Sequence, residues 1–390
     1  MRVHNFQVVL WQMLKMINYS KYNLKKDLKI TYLLGAGASY NSVPIWSEQG
    51  ESMELVADSI KQAIENPTSI FSSELLESSN YTGFTSEEIE YLNQIISDLK
   101  HFSQKAQSND TIDSYANILF KRKNAIELDR LKKTLSIYLD IWQFYQNDMP
   151  FRKRENEYFH KKQPIDTRYI KWLNMITESD QFGEVSLNPN INILSWNYDL
   201  QTQLAFNNLY QDLNLKCLDD VNAKLKFLEG NSEELNLYHL NGHHGYFKYD
   251  KNYYPTGRNV LKSNFYRYLK DLFDNLSQFK VRSNSYHDYS SIKFSWEKQL
   301  APDILKIANN TDILIVIGYS FPQYNRKIDS QILNAVKSNT ALYIYYQDPM
   351  DDFEKIKNFI NYKSLVQDKS VSEFFVPDEF INPKEPEIKI

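Results

Sequence analysis

The sequence predicts an α/β protein: a Rossmann-like parallel sheet with helices on both faces and a large helical insertion. Three observations carry this. Short, mostly apolar runs recur at 28–34, 191–195, 235–240, 313–317 and 342–346 between helical stretches, as buried parallel strands do. The first run stops at Gly35-Ala36-Gly37-Ala38-Ser39, and strand, glycine turn, helix is the opening of a nucleotide-binding unit. From 51 to 180 the apolar spacing changes to alternating steps of three and four, the period of a helix face.

In order along the chain, Val3, Phe6, Leu10, Met13 and Ile17 predict a short amphipathic arm over 1–27. The strand-forming run LKITYLL follows at 28–34 and opens a sheet domain made of 28–50 and 181–376. Ile89, Leu92, Ile96 and Leu99 mark one helix of the 51–180 insertion, or lid. Leu128, Leu131, Leu135, Tyr138, Trp142 and Tyr145 mark another. Arg152, Lys153 and Arg154 with Lys161 and Lys162 read as a solvated loop rather than a nucleic-acid site. Phe265, Leu269, Leu272, Phe273, Leu276 and Phe279 share a helix face that core packing explains. Pro377, Pro383 and Pro386 among charges make 377–390 an extended tail.

Composition bounds the function. A 390-residue chain that is 42% hydrophobic and 14% aromatic can bury a large core, which argues against disorder. Its 45 basic and 49 acidic residues leave a net charge of -4, so no broad basic surface for nucleic acid is expected. The single cysteine, Cys217, excludes an intrachain disulfide and any zinc site needing two cysteines, and fits a cytoplasmic protein. No apolar run is long enough to span a membrane, and the N-terminal stretch does not read as a signal peptide.

Four strand ends carry candidate chemistry. Gly35, Ala36 and Gly37 would let backbone approach a phosphate, with Ser39 adding a hydroxyl donor, or would make only a tight turn. Asn197 and Asp199 lie where open α/β sheets bind ligands, or cap the next helix. His239 lies near the end of the third run, and Asn241, His243 and His244 follow it. An acid-base or ligand-positioning role, ordinary loop histidines and a metal site all remain open, though no partner spacing supports metal. Gly318 and Ser320 suit close approach to a phosphate or ribose, or make only a tight turn, and Asp348 follows the last run as a ribose partner or a solvated turn.

Read together, GAGAS, SWNYD, HLNG and GYSF resemble the sirtuin-like NAD-consuming domains of bacterial anti-phage defence, whose pattern is GAGxS, T-x-N-Y-D, L-H-G and G-x-S. The resemblance spans roughly 28 to 348. It implies NAD as substrate, hydrolysed to nicotinamide and ADP-ribose, without a metal. Gly35, Ala36, Gly37 and Ser39 would face the pyrophosphate. Asn197 would position water or the nicotinamide ribose, and Asp199 would orient the pocket. Pro44 and Trp46 would border the nicotinamide, and Gly318 and Ser320 would support the phosphate and adenosine side.

Two departures bear on activity. One cysteine cannot make the four-cysteine zinc module of protein-deacylating sirtuins, so deacylation is disfavoured. Asn241 stands at the family's histidine position, and asparagine cannot act as a general base. His239 would share its face in a strand, and His243, just beyond the glycine, is the first substitute. The resemblance implies a homo-oligomer with a separate activating subunit, such as an ATPase or phage sensor. The alternative is a catalytically silent NAD or ADP-ribose sensor.

Overall fold

The computed structural model describes residues 28–67, 83–109, 111–145, 162–213, 218–226, 236–249, 252–255, 264–282, 292–297, 299–349, 353–370 and 372–377. The N-terminal arm, the basic run through Lys161, Cys217 and the tail beyond 377 lie outside them.

Ten strands and eleven α-helices are described. The first strand, β1 (Ile30–Leu34), is followed by α1 (Gln49–Glu65), α2 (Ser86–Ser108), α3 (Ile112–Lys121), α4 (Ala125–Tyr145) and α5 (Thr167–Ile176). The hairpin β2 (Thr177–Ser179) and β3 (Val185–Leu187) leads to β4 (Ile191–Ser195), α6 (Gln201–Leu209), α7 (Leu218–Lys224) and β5 (Leu237–His239). After the hairpin β6 (Tyr246–Tyr249) and β7 (Asn252–Pro255) come α8 (Phe265–Arg282), α9 (Pro302–Asn309) and β8 (Ile313–Ile317). The chain continues through α10 (Arg326–Ser338), β9 (Tyr343–Gln347), α11 (Phe353–Ile360) and β10 (Leu365–Asp368).

Six strands form one parallel sheet in the order β10-β9-β8-β1-β4-β5. Successive strands are thus added on one side of β1 and then on the other, the 3-2-1-4-5-6 order of doubly wound dinucleotide-binding sheets. The order reverses between β1 and β8, which pair in register from Ile30 with Ile313 to Leu34 with Ile317.

Alternation along each strand explains why both faces are covered. Ile30, Tyr32 and Leu34 of β1 with Ile313, Ile315 and Ile317 of β8 enter a core shared with Trp172 of α5, Phe206 of α6 and Val221 of α7. Leu33, Leu314 and Val316 point the other way, onto Ile304 of α9, Ile332 of α10 and Ile356 of α11. Each such buried side chain contributes about 1.5–3 kcal/mol. The edge strand β10 carries no fully buried residue, so its sequence lacks the apolar run that marks the other five.

The helical layer has its own core, built from α1, α2, α3, α4 and α8. At its centre α4 is buried on every side from Thr134 to Gln143, with the predicted face of Leu128, Leu131, Leu135, Tyr138, Trp142 and Tyr145 inside. Threonine caps set two helix starts. Thr85 and Glu88 form a reciprocal capping box for α2, and Thr111 accepts the Ser114 N–H at 2.9 Å for α3.

At the reversal point, the glycines meet one another. Gly318 adopts φ 59°, and a Cβ there would lie 2.3 Å from the Ala38 nitrogen; one on Gly35 would lie 2.5 Å from the Gly318 oxygen. Gly318→Ala should therefore cost about 3 kcal/mol or more through left-handed backbone and overlap. Gly183→Ala, with φ 79° but nothing within 4 Å, should cost only about 1 kcal/mol. Equal losses in chemical denaturation would remove the contact as the cause.

Candidate functional site

The carboxyl ends of β8, β1, β4 and β5 lie side by side, which brings the four sequence segments together. The glycine turn differs from expectation. Residues Ala36–Ser39 form a single 3-10 turn, and the α-helix begins only at Gln49, so no α-helix N-terminus stands at the turn. The Gly37 N–H is also taken, donating to the Gly318 carbonyl at 2.9 Å. Ala36 and Ser320 are exposed at the rim.

Ser39 is buried rather than offering its hydroxyl to solvent. Its Oγ lies 3.0 Å from the Tyr169 hydroxyl and accepts the Asn197 Nδ2 at 3.2 Å. Lys162 likewise corrects the solvated-loop reading: only 4% exposed, it donates to the Tyr40 carbonyl at 2.6 Å and pairs with Glu48 at 3.1 Å. Burial pushes the Lys162 ammonium down and the Glu48 carboxyl up. Arg168 donates to the Ala38 carbonyl at 2.9 Å and the Trp142 indole to the Ser42 carbonyl at 2.9 Å. The loop after the glycine turn is thus held carbonyl by carbonyl. Pro44 within it is buried, and Trp46 opens a short 3-10 turn.

From β4, the Asn197 amide crosses to β1. Its Nδ2 donates to the Gly35 carbonyl at 2.9 Å as well as to Ser39, while its Oδ1 accepts no hydrogen bond among the described residues. The amide is oriented by its donor end with its acceptor left over. Asp199 makes an Asx-type turn just before α6, its Oδ1 accepting the Gln201 N–H at 3.1 Å, and burial raises its carboxyl above the usual range.

The histidines are held by the fold. Strand β5 ends at His239 and Asn241 lies in the following turn, so strand alternation does not relate them. His239 Nδ1 faces the Asn197 carbonyl at 2.9 Å, which can only accept, so Nδ1 donates and Nε2 receives the Gln203 amide at 3.2 Å. His243 Nδ1 donates to the His244 carbonyl at 2.7 Å. His244 is fully buried, with Nδ1 2.5 Å from Asp140 and Nε2 against the Gln143 amide oxygen, both on α4. Asn241 donates to the Trp196 carbonyl at 3.3 Å and the Tyr198 hydroxyl at 3.4 Å, and its buried Oδ1 has no partner among the described residues. A flip would set two carbonyl oxygens together at Trp196, so this orientation stands.

On the far side, Tyr319 stacks on Trp196 with centroids 5.8 Å apart and donates to the Asp329 carboxyl at 3.0 Å. Asp348 stands one strand further out, its N–H on the Asp368 carbonyl at 3.2 Å. Among the described residues, no three His, Cys, Asp or Glu side chains converge as metal ligands would, and no helix is long and apolar enough to cross a membrane.

Sequence reading missed Asp113, Asp140, Gln143, Gln203, Tyr324 and Asp329. Only Asp140 and Gln143 carried a signal: they interrupt the apolar stretch SIYLDIWQFY one turn apart, and a polar group inside a buried helix requires a partner. No protein-family model matches this chain, and neither does any curated protein.

Burial raises the Asp329 carboxyl to about 8, from an ordinary value of 3.8. Between those values the folded chain holds a proton that the unfolded chain releases, so this stabilisation is present at low pH and is lost as pH rises to about 8. The stability of the wild type relative to Asp329→Asn should fall from pH 4 to pH 8 and level off above. Unfolding titrations giving a flat or rising difference would contradict this.

Proposed function

We propose that the chain binds NAD across the carboxyl ends of β8, β1, β4 and β5 and hydrolyses it to nicotinamide and ADP-ribose. In this reading it is a cytoplasmic effector of anti-phage defence, silent until a separate sensor subunit or self-assembly activates it. The observation that carries the reading is the sheet order. In a doubly wound sheet, dinucleotides lie outside the strand ends where the order reverses. That point is where the Gly35–Gly37 turn meets Gly318, within the segments that resemble sirtuin-like domains.

The chemistry asks little of a general base. Nicotinamide leaves from a cationic ring, so the enzyme must hold the ribose and stabilise an oxocarbenium-like transition state. The Asn197 Oδ1, unpartnered on an amide anchored through Nδ2, suits a ribose hydroxyl or the attacking water.

One observation favours the second reading, a catalytically silent NAD or ADP-ribose sensor. His239 and His244 have both ring nitrogens engaged within the fold, and Asn241 cannot take a proton.

The test is chromatographic. The full chain, alone across a concentration series and with candidate partner subunits, should release nicotinamide from NAD, and Asn197→Ala should reduce release at least 100-fold, the scale of a lost transition-state contact. Tight binding with intact NAD recovered would establish the sensor instead. Failure to bind any adenine nucleotide would defeat both.

A further inference from the structure

Asp113, on the first turn of α3 in the helical layer, reaches the strand-end loops of the sheet. Its two carboxyl oxygens receive the Tyr198 hydroxyl at 2.8 Å and the Tyr324 hydroxyl at 3.4 Å. No lysine, arginine or histidine pairs with it among the described residues. The nearby Glu297 is already matched, 2.7 Å from the buried Lys132. A carboxylate sheltered by phenols without a counter-charge is costly unless something neutralises it.

The surroundings indicate what. Tyr198 meets the Phe294 ring edge-on at 6.0 Å, Phe294 stacks parallel on Trp296 at 4.9 Å, and Trp296 meets Tyr324 edge-on at 5.9 Å. These rings join the two tyrosines that hold Asp113. Tyr198, Trp296, Tyr324 and Asp113 are each only half-buried, while Phe294 is buried. Beside Tyr198 lies the buried Oδ1 of Asn241, which accepts no hydrogen bond among the described residues.

We propose that Asp113, Tyr198, Phe294, Trp296, Tyr324 and Asn241 form a subsite for a flat organic cation carrying a hydrogen-bond donor. Aromatic faces attract cations electrostatically, the carboxylate supplies the opposite charge, and Asn241 accepts from the donor. The nicotinamide ring of oxidised NAD, a pyridinium with an amide N–H group, is such a cation, and this subsite then stands in place of the Pro44 and Trp46 border that the resemblance implies. The inference rests on the NAD reading only for that choice of ring. It also gives the helical layer a direct part in binding, through Asp113.

The test separates this inference from hydrolysis because it needs no turnover. Calorimetry on the full chain compares the N-methylnicotinamide cation with neutral nicotinamide. The cation should bind at least about tenfold more tightly, and Asp113→Asn should abolish that preference. Trp296→Leu, which leaves the carboxylate in place, should weaken the cation more than the neutral compound. Equal affinity for the two compounds, no binding of either to the wild type, or a preference unchanged in both variants would overturn the subsite. Absence of nicotinamide release from NAD would defeat only the hydrolase reading.

Discussion

The contact between the Gly35–Gly37 turn and Gly318 is the constraint on which the site depends. Backbone meets backbone there with no room for a Cβ on any of the three residues, and the sheet's hydrogen bonding continues past the strands: Gly35 N–H to Ile317, Gly37 N–H to Gly318, Gly318 N–H to Gln347. Because β1 and β8 end flush, their loops leave at one level. A glycine-poor chain, with 10 in 390, places three at this crossing. They serve the approach of two loops to each other, which leaves less of the turn's backbone for a ligand than a glycine-rich sequence suggests.

Side chains buried in low-dielectric surroundings then fasten what the glycines allow. Lys162, Arg168, Trp142 and Asn197 each donate to a backbone carbonyl between Gly35 and Val43. Such groups are costly to bury unless satisfied, so each bond both stabilises its donor and fixes the loop. The helical layer works in the same way. Its Asp140 receives the Tyr268 hydroxyl and faces His244, and Gln143 accepts the Leu200 N–H. Breaking such a buried pair costs more than the pair contributes, since the partner remains unsatisfied. Layer and strand-end loops are therefore joined by polar bonds at separated points, in addition to apolar packing.

This arrangement redistributes chemical roles among the residues. The histidines that drew attention by their density are placed as struts. Among the described residues at these strand ends, the amide oxygens of Asn197, Gln203 and Asn241 are left without a hydrogen bond. A site of oriented amides and aromatic rings suits holding and positioning a polar ligand more than transferring protons.

Much of the scaffold was legible in the sequence. Runs such as ILIVI and INILS coincide with β8 and β4 because strands buried on both faces must be apolar throughout, and that pattern is local. The α4 face was legible for the same reason. The edge strand β10 was not, since half-buried residues leave no continuous apolar signal. The segments at the strand ends could be named but not given roles. Whether Ser39 meets solvent or Tyr169, whether Lys162 is solvated or holds a loop, and whether His239 is available depend on residues 36 to 130 positions away. The sequence by itself determined where the buried strands and the main helix faces lie and which strand ends carry polar chemistry, because periodicity and turn preference act over a few residues. The tertiary structure alone decided which of those polar groups are consumed, because hydrogen-bond satisfaction is set by neighbours in space.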